Sequence, residues 1–167
     1  MPLLIDTTIE HGLPTADILL FALPGVGDVG KNAIEMLNES SQAERVARFI
    51  LPGLAPLARL DEDGLLAPPH LYASLFTTPN GQRVMTVTGP GQPSDHSHQY
   101  DFTQELLEVF SKVGLPEMLV LAGLSSPPEK KEAFVVASSS AHRVNMEEKG
   151  VDVRRDQPSG GAIGMSA

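Results

Sequence analysis

The sequence predicts an α/β fold with three layers, α/β/α, around a mixed and mainly parallel sheet with antiparallel hairpin additions. Three observations predict it. An apolar run at residues 17–23 leads directly into a glycine-rich turn and then a helical segment. A long amphipathic segment followed by a second apolar run recurs after residue 100. Between these lie short apolar and β-branched runs separated by turn signals, Asp63-Gly64 and Asn80-Gly81.

The elements follow in order. Residues 1–16 form a mixed opening that contains Pro14. Residues 17–23 read as a strand buried on both faces, because apolar side chains occupy consecutive positions. Residues 32–38 read as helix, with Ile34, Met36 and Leu37 on the buried side. Ser40-Ser41 interrupts it and caps a further helical turn carrying Ala43, Val46, Ala47 and Ile50. Residues 54–60 and 65–67 form the arms of a hairpin. Asp61-Glu62-Asp63-Gly64 is its exposed turn, and Gly64 is suited to a left-handed conformation. Residues 70–76 and 82–88 are strands joined by a turn at 77–81.

Residues 101–113 predict the longest helix, with Phe102, Leu106, Val109 and Phe110 on one face and Gly114 ending it. Residues 117–121 are an apolar strand, and 125–131 a polar loop containing proline. Residues 133–137 and 151–155 are short strands flanking a helix at 141–150. No internal repeat is present.

Size and composition fit one α/β domain over residues 1–167. The chain has 167 residues, 41% apolar and 20% charged, enough for a core and unlike a disordered segment. It has no cysteine, which excludes a disulfide scaffold, thiolate-bound zinc and a thiol nucleophile, and it fits a reducing, cytoplasmic setting. The net charge of −9 disfavours a nucleic-acid partner, since no basic patch offsets it. No apolar run reaches membrane-spanning length, and the first residues do not read as a signal peptide.

The glycine-rich turn matches two nucleotide fingerprints, and each lacks its confirming residue. Gly25, Gly30 and Lys31 have the spacing of a phosphate-binding loop, but Asn32 stands where Ser or Thr would hold magnesium. The apolar run at 118–121 supplies no metal-binding acid. Gly25, Gly27 and Gly30 also have dinucleotide spacing. The ribose-gripping acid should end a second strand, yet Glu44 lies in a helical-looking segment. Glycines equally serve a sharp strand-to-helix turn and close helix packing. Gly25, Gly27, Gly30 and Lys31 therefore form a candidate anion-binding turn, with no catalytic residue, cofactor or metal assigned.

Asp95-His96-Ser97-His98 is the only histidine cluster. It reads as a metal candidate or, more simply, as a helix cap. His11, His70 and His142 are isolated. Ser138-Ser139-Ser140 precedes His142, but no Gly-x-Ser-x-Gly elbow surrounds it, so helix capping is the simpler role.

The order of segments resembles the proteasome assembly chaperone family, whose archaeal and bacterial members were formerly grouped as ATP-grasp-like proteins. The residues that carry it are Leu23-Pro24-Gly25-Val26-Gly27 with Val29-Gly30, then Phe49-Ile50-Leu51-Pro52-Gly53-Leu54-Ala55-Pro56. Asp63-Gly64, Pro68-Pro69 and Leu71-Tyr72 follow, then Gly89 with Tyr100, and Met118-Leu119-Val120-Leu121-Ala122-Gly123-Leu124. Gly160-Gly161-Ala162-Ile163-Gly164 is similar to the family's glycine-rich helix entrance.

The resemblance implies an α/β/α fold, homo-oligomers and binding to proteasome α subunits, with no established catalytic residue. It departs from the family in two ways. Some members end in a hydrophobic-Tyr-any tail, where this chain ends Met165-Ser166-Ala167. Members also continue further, so a C-terminally shortened domain is expected. The expectation is a noncatalytic interaction domain. The alternative is a small-molecule or nucleotide-binding enzyme using the turn at Gly25 and Gly30.

Overall fold

The computed structural model describes residues 4–7, 12–51, 53–60, 63–115, 117–125, 129, 132–156 and 165. Asp61 and Glu62 of the expected exposed turn, the glycine segment at 160–164 and His11 lie outside them. The chain divides into two compact units, Met1–Gly123 with Ala162–Ala167, and Leu124–Gly161.

The first unit holds a six-stranded sheet in the order β1-β3-β6-β7-β2-β8. The strands are β1 (Leu4–Thr7), β2 (Ile18–Phe21), β3 (Glu44–Ile50), β6 (Leu71–Thr77), β7 (Arg83–Thr88) and β8 (Met118–Val120). Strands β4 (Arg59–Leu60) and β5 (Leu66–Ala67) form a separate antiparallel ribbon. Helix α1 (Val29–Ser40) follows β2, and α2 (His96–Val113) joins β7 to β8. The sheet is mixed, as expected. Its parallel part is confined to β7-β2-β8, while β1-β3, β3-β6 and β6-β7 are antiparallel, so parallel pairings are not the majority.

The core lies between the sheet and α2. In an antiparallel pair, directly opposed residues share a face. Phe49 opposes Leu71, and Ala47, Ala73 and Val87 align across three strands. These join Leu19, Phe21 and Met85 against Phe102, Leu106 and Phe110 of α2. The helix contributes one residue per turn at a spacing of four, which keeps all three on one stripe. Phe49 and Phe110 meet edge to face, with ring centroids 6.0 Å apart and planes at 83°. This is a favoured aromatic geometry.

Helix α2 begins earlier than residue 101, at His96, because Asp95 caps it. The Asp95 carboxylate accepts from the backbone N–H groups of Ser97 and His98 at 2.9 and 3.1 Å. Gly114 ends the helix in a left-handed conformation, φ 78°, and its N–H bonds the carbonyls of Phe110 and Ser111.

Two expectations are corrected. Residues 43–50 are not helical. Strand β3 occupies Glu44–Ile50, and its register with β6 shifts between Arg45 and Ala47. A β-bulge breaks strict alternation there and buries Val46 beside Ala47, so the helically spaced Ala43, Val46, Ala47 and Ile50 sit in and just before a strand. Met36 does not join the buried side of α1. It is 70% exposed, whereas Ile34 is fully buried. Two positions along a helix differ by about 200°, which puts the two on opposite sides.

In the second unit, helix α3 spans Ser140–Glu148. The expected strands at 133–137 and 151–155 reduce to one parallel bridge, Val135 with Val153, extended by an Arg154 N–H bond to the Val135 carbonyl at 2.8 Å. The Arg154 guanidinium lies 4.1 Å from the Phe134 ring centroid and pairs with Glu132 at 3.1 Å. No helix among the described residues is long and apolar enough to cross a membrane.

Candidate functional site

The glycine turn leaves the carboxyl end of β2 and passes through a single 3-10 turn, Val26–Asp28, into α1. Gly27 and Asp28 both adopt left-handed backbone, φ 63° and 51°. A glycine takes that conformation without steric cost, and an aspartate tolerates it. Gly30 has a different role. It is buried in the first turn of α1, and a Cβ there would collide with the carbonyl oxygen of Leu121, just past β8. Gly123 answers it from the other side, since its Cβ would collide with the Val26 carbonyl oxygen. The turn and the segment after β8 are thus packed backbone to backbone.

A cavity of about 440 Å³ sits beside this contact, lined in part by Pro24, Gly25, Gly30, Gln92 and Gly123. It occupies the crevice at the carboxyl ends of β2 and β8, where open α/β sheets commonly bind ligands. Its one polar side chain among the described residues is engaged. Gln92 donates to the Pro24 carbonyl at 3.1 Å and accepts from the Met165 N–H at 2.9 Å.

The structure brings Gly25 and Gly30 to this cavity but not Lys31. The Lys31 ammonium pairs with Glu35 at 2.8 Å, one turn along α1, and lines a different groove. The charged side chain at the turn itself is Asp28. A phosphate loop brings its lysine back over the glycines, and this one does not.

The other sequence candidates resolve as caps. Asp95 also accepts from the Ser97 hydroxyl. That bond and the His98 backbone N–H hold its carboxyl below its ordinary value. His98 stacks on Phe102 with centroids 5.9 Å apart. No group of three or more metal-ligating side chains is found among the described residues. Ser139 caps α3 by accepting from the His142 N–H at 3.1 Å, and the Ser138 hydroxyl lies 3.1 Å from His142 Nδ1.

A second concavity was not legible as a site. It is a groove of about 1090 Å³ on the α1 side of the sheet, between α1, strands β3 and β6, and the β4-β5 ribbon. Two polar rows cross the sheet beneath it. Arg45 opposes Ser74, which opposes Thr86; Arg48 opposes Tyr72, which opposes Thr88. The Arg45 guanidinium lies 3.7 Å from the Tyr72 ring centroid, and the Tyr72 hydroxyl donates to Glu35 at 3.4 Å. Thr86 donates to Asn38 Oδ1 at 2.7 Å. The sequence signal was the alternation in two neighbouring strands, with polar 72, 74, 86 and 88 between apolar 71, 73, 85 and 87. Alternation alone predicts a solvated face. Only the placement of α1 and the ribbon makes it a groove.

The uncharacterized protein MJ1210 of Methanocaldococcus jannaschii is 21% identical over 149 residues, covering 89% of this chain and 57% of that protein. The chain spans 57% or less of the length of the curated relatives reported for it. Among solved structures, Pyrococcus furiosus PbaB, an archaeal proteasome activator, superposes with a TM-score of 0.77 at 22% identity, covering 98% of this chain and 71% of that one. Pyrococcus furiosus PbaA, an archaeal homolog of proteasome-assembly chaperone, gives 0.69 at 18% identity, covering 98% and 67%. Both likenesses are of fold. The profile of the PAC2 family matches residues 19–167, nearly the whole of the first unit's sheet and all that follows, and by that match the chain belongs to the PAC2 family.

Proposed function

We propose that this chain is a noncatalytic protein-interaction domain with proteasome-related partners, proteasome α subunits in particular, that works in the cytoplasm as a homo-oligomer and without a cofactor. Family membership and the shared fold of PbaA and PbaB support the reading. The observation that carries it is the β4-β5 ribbon. Leu57, Leu60, Leu65 and Leu66 are all more than half exposed within ten positions of each other, Leu66 at 75%. Scattered exposed leucines are ordinary, but a cluster on a two-stranded ribbon marks a surface that a partner covers. The test is native mass spectrometry of the chain mixed with proteasome α subunits. Binding by the wild type, lost in the Leu60→Asp, Leu66→Asp variant, supports the reading; no binding by the wild type counts against it.

A second reading keeps the turn at Gly25, Gly27 and Gly30 as an anion or nucleotide site. The crevice at the carboxyl ends of β2 and β8 favours it. Calorimetry with ATP, GTP and NAD separates the two, because micromolar affinity for any of them would favour the second reading.

A further inference from the structure

We propose that the open edge of β8 is the surface through which this chain self-associates, with β8 of one copy pairing antiparallel to β8 of a second copy about a two-fold axis at Leu119. The inference rests on the homo-oligomer of the reading above and gives it an interface separate from the leucine ribbon.

The first support is the hydrogen-bonding pattern of the edge. Strand β8 is the last of the six, with β2 on one side only. Successive residues of a parallel strand turn their backbone groups to alternate sides. The Glu117 carbonyl accepts from the Leu19 N–H, and the Leu121 N–H donates to the Phe21 carbonyl, so Leu119 between them faces β2 as well. Met118 and Val120 therefore turn their N–H and C=O groups outward, where no backbone bond is found among the described residues. Another strand completes such an edge. This one is also self-complementary. With Leu119 opposite Leu119 of the second copy, Met118 of each copy faces Val120 of the other, and each such pair exchanges two N–H···O bonds.

The second support is charge. The net charge of −9 makes two copies repel wherever their carboxylates meet. Residues 118–124 carry no charge, whereas β1, the strand at the opposite edge, carries the exposed Asp6. A charged side chain on an edge opposes strand addition, and β8 lacks that protection. In the two-fold register the two copies of Glu117 lie about 14 Å apart along the strands. That exceeds the screening length of roughly 8 Å at physiological salt.

The third is apolar surface on both sides of the edge. Met118 and Val120 pair with Leu19 and Phe21 of β2, on the face that α2 covers. The β2 residues are 1% and 4% exposed and their β8 neighbours 36% and 38%, so the uncovered area lies at the edge. On the opposite face, α1 presents Val29, Ala33 and Met36 at i, i+4 and i+7, all exposed. A Cβ on Gly123, just past β8, would lie 3.2 Å from the Val29 Cβ, which places this stripe on the β8 side of α1. Apolar contacts around a paired strand are the core such an interface needs.

The chain has no cysteine, so one introduced thiol reads the geometry. In the proposed register the two Leu119 residues form a non-hydrogen-bonded pair with Cα atoms about 4.5 Å apart, within reach of a disulfide. Leu119→Cys should give a covalent dimer under mild oxidation, and Ile5→Cys, on the β1 edge, should not. Sedimentation equilibrium is the second measurement. Val120→Pro removes an N–H that the ladder with β2 does not use, and with it one bond from each Met118–Val120 pair. Its dissociation constant should rise at least about tenfold. Met118→Lys, which charges the edge, gives the same answer if Val120→Pro unfolds. An oligomer that survives these variants, or equal cross-linking at positions 5 and 119, overturns the β8 interface and leaves the homo-oligomer standing. A monomeric wild type overturns both. Neither measurement involves proteasome subunits, so partner binding through the ribbon is judged separately.

Discussion

Gly30 lies so close beneath Leu121 that a methyl group on its Cα would take the space of the Leu121 carbonyl oxygen. The obstacle is backbone, and that backbone is itself tied to the sheet by the Leu121 N–H bond to the Phe21 carbonyl at 2.9 Å. Neither side can yield cheaply. Gly30→Ala should therefore destabilise the chain by about 2–3 kcal/mol, the cost of overpacking a rigid contact. Chemical denaturation would read it as a lower midpoint at unchanged slope. If Gly30 served instead only to admit a phosphate, the variant would keep the wild-type midpoint.

Lys31 gives the opposite result. Its pairing with Glu35 is an i,i+4 contact at the helix surface, with side chains 21% and 41% exposed. Such pairs are worth about 0.5 kcal/mol and less in salt. Lys31→Ala should shift the denaturation midpoint only slightly and leave partner binding intact. Loss of partner binding in a folded Lys31→Ala variant would contradict the structural placement of this side chain away from the turn.

The polar sheet face and the bulge explain where sequence reasoning stopped. Residues 102, 106 and 110 announce α2 because nothing interrupts their period. The strand after Ser41 is different. A bulge between Arg45 and Ala47 adds one residue and buries Val46 beside Ala47, which lets the helically spaced apolar positions 43, 46, 47 and 50 sit in and just before a strand. Local pattern cannot separate the two cases, because the distinction lies in how β6 pairs. The groove was hidden for a related reason. Alternation at 72, 74, 86 and 88 fixes which side chains share a face, while the cover over that face comes from α1 and from the β4-β5 ribbon, whose placement that alternation does not encode. The glycines at 25, 27 and 30 were legible as a turn, but the partner that makes Gly30 necessary is more than 90 positions away.

Asp95 makes the start of α2 sensitive to acid. Its carboxylate accepts two backbone N–H bonds and the Ser97 hydroxyl, and its pKa is lowered from the ordinary 3.8, chiefly by the Ser97 hydroxyl and then by the His98 N–H. A lowered folded value means the cap's charge-dependent stabilisation is fully present above pH 3.8 and is lost as pH falls through the folded value. Asp95→Asn keeps a good cap but not the charge, so it should be slightly less stable than the wild type at neutral pH and should lack this acid-dependent component. Asp95→Ala should be the least stable of the three at every pH above that window. Thermal melts of the three variants from neutral pH down to about pH 3 would check the order.

Thr86 and Thr88 share a strand, a sheet face and complete burial, yet they differ in one respect. The Thr86 hydroxyl donates to Asn38 at 2.7 Å, and the Thr88 hydroxyl finds no hydrogen-bond partner among the described residues. Valine has nearly the same shape as threonine and suits a strand at least as well, so the swap isolates the hydroxyl. Thr86→Val removes a made bond and should cost about 1 kcal/mol. Thr88→Val removes a hydroxyl whose desolvation is uncompensated, and should be neutral or stabilising by up to about 1 kcal/mol. Urea denaturation of both variants gives the comparison directly. Equal destabilisation by the two swaps would mean that Thr88 has a partner in solution, and the difference in midpoint between them measures what the Asn38 contact contributes.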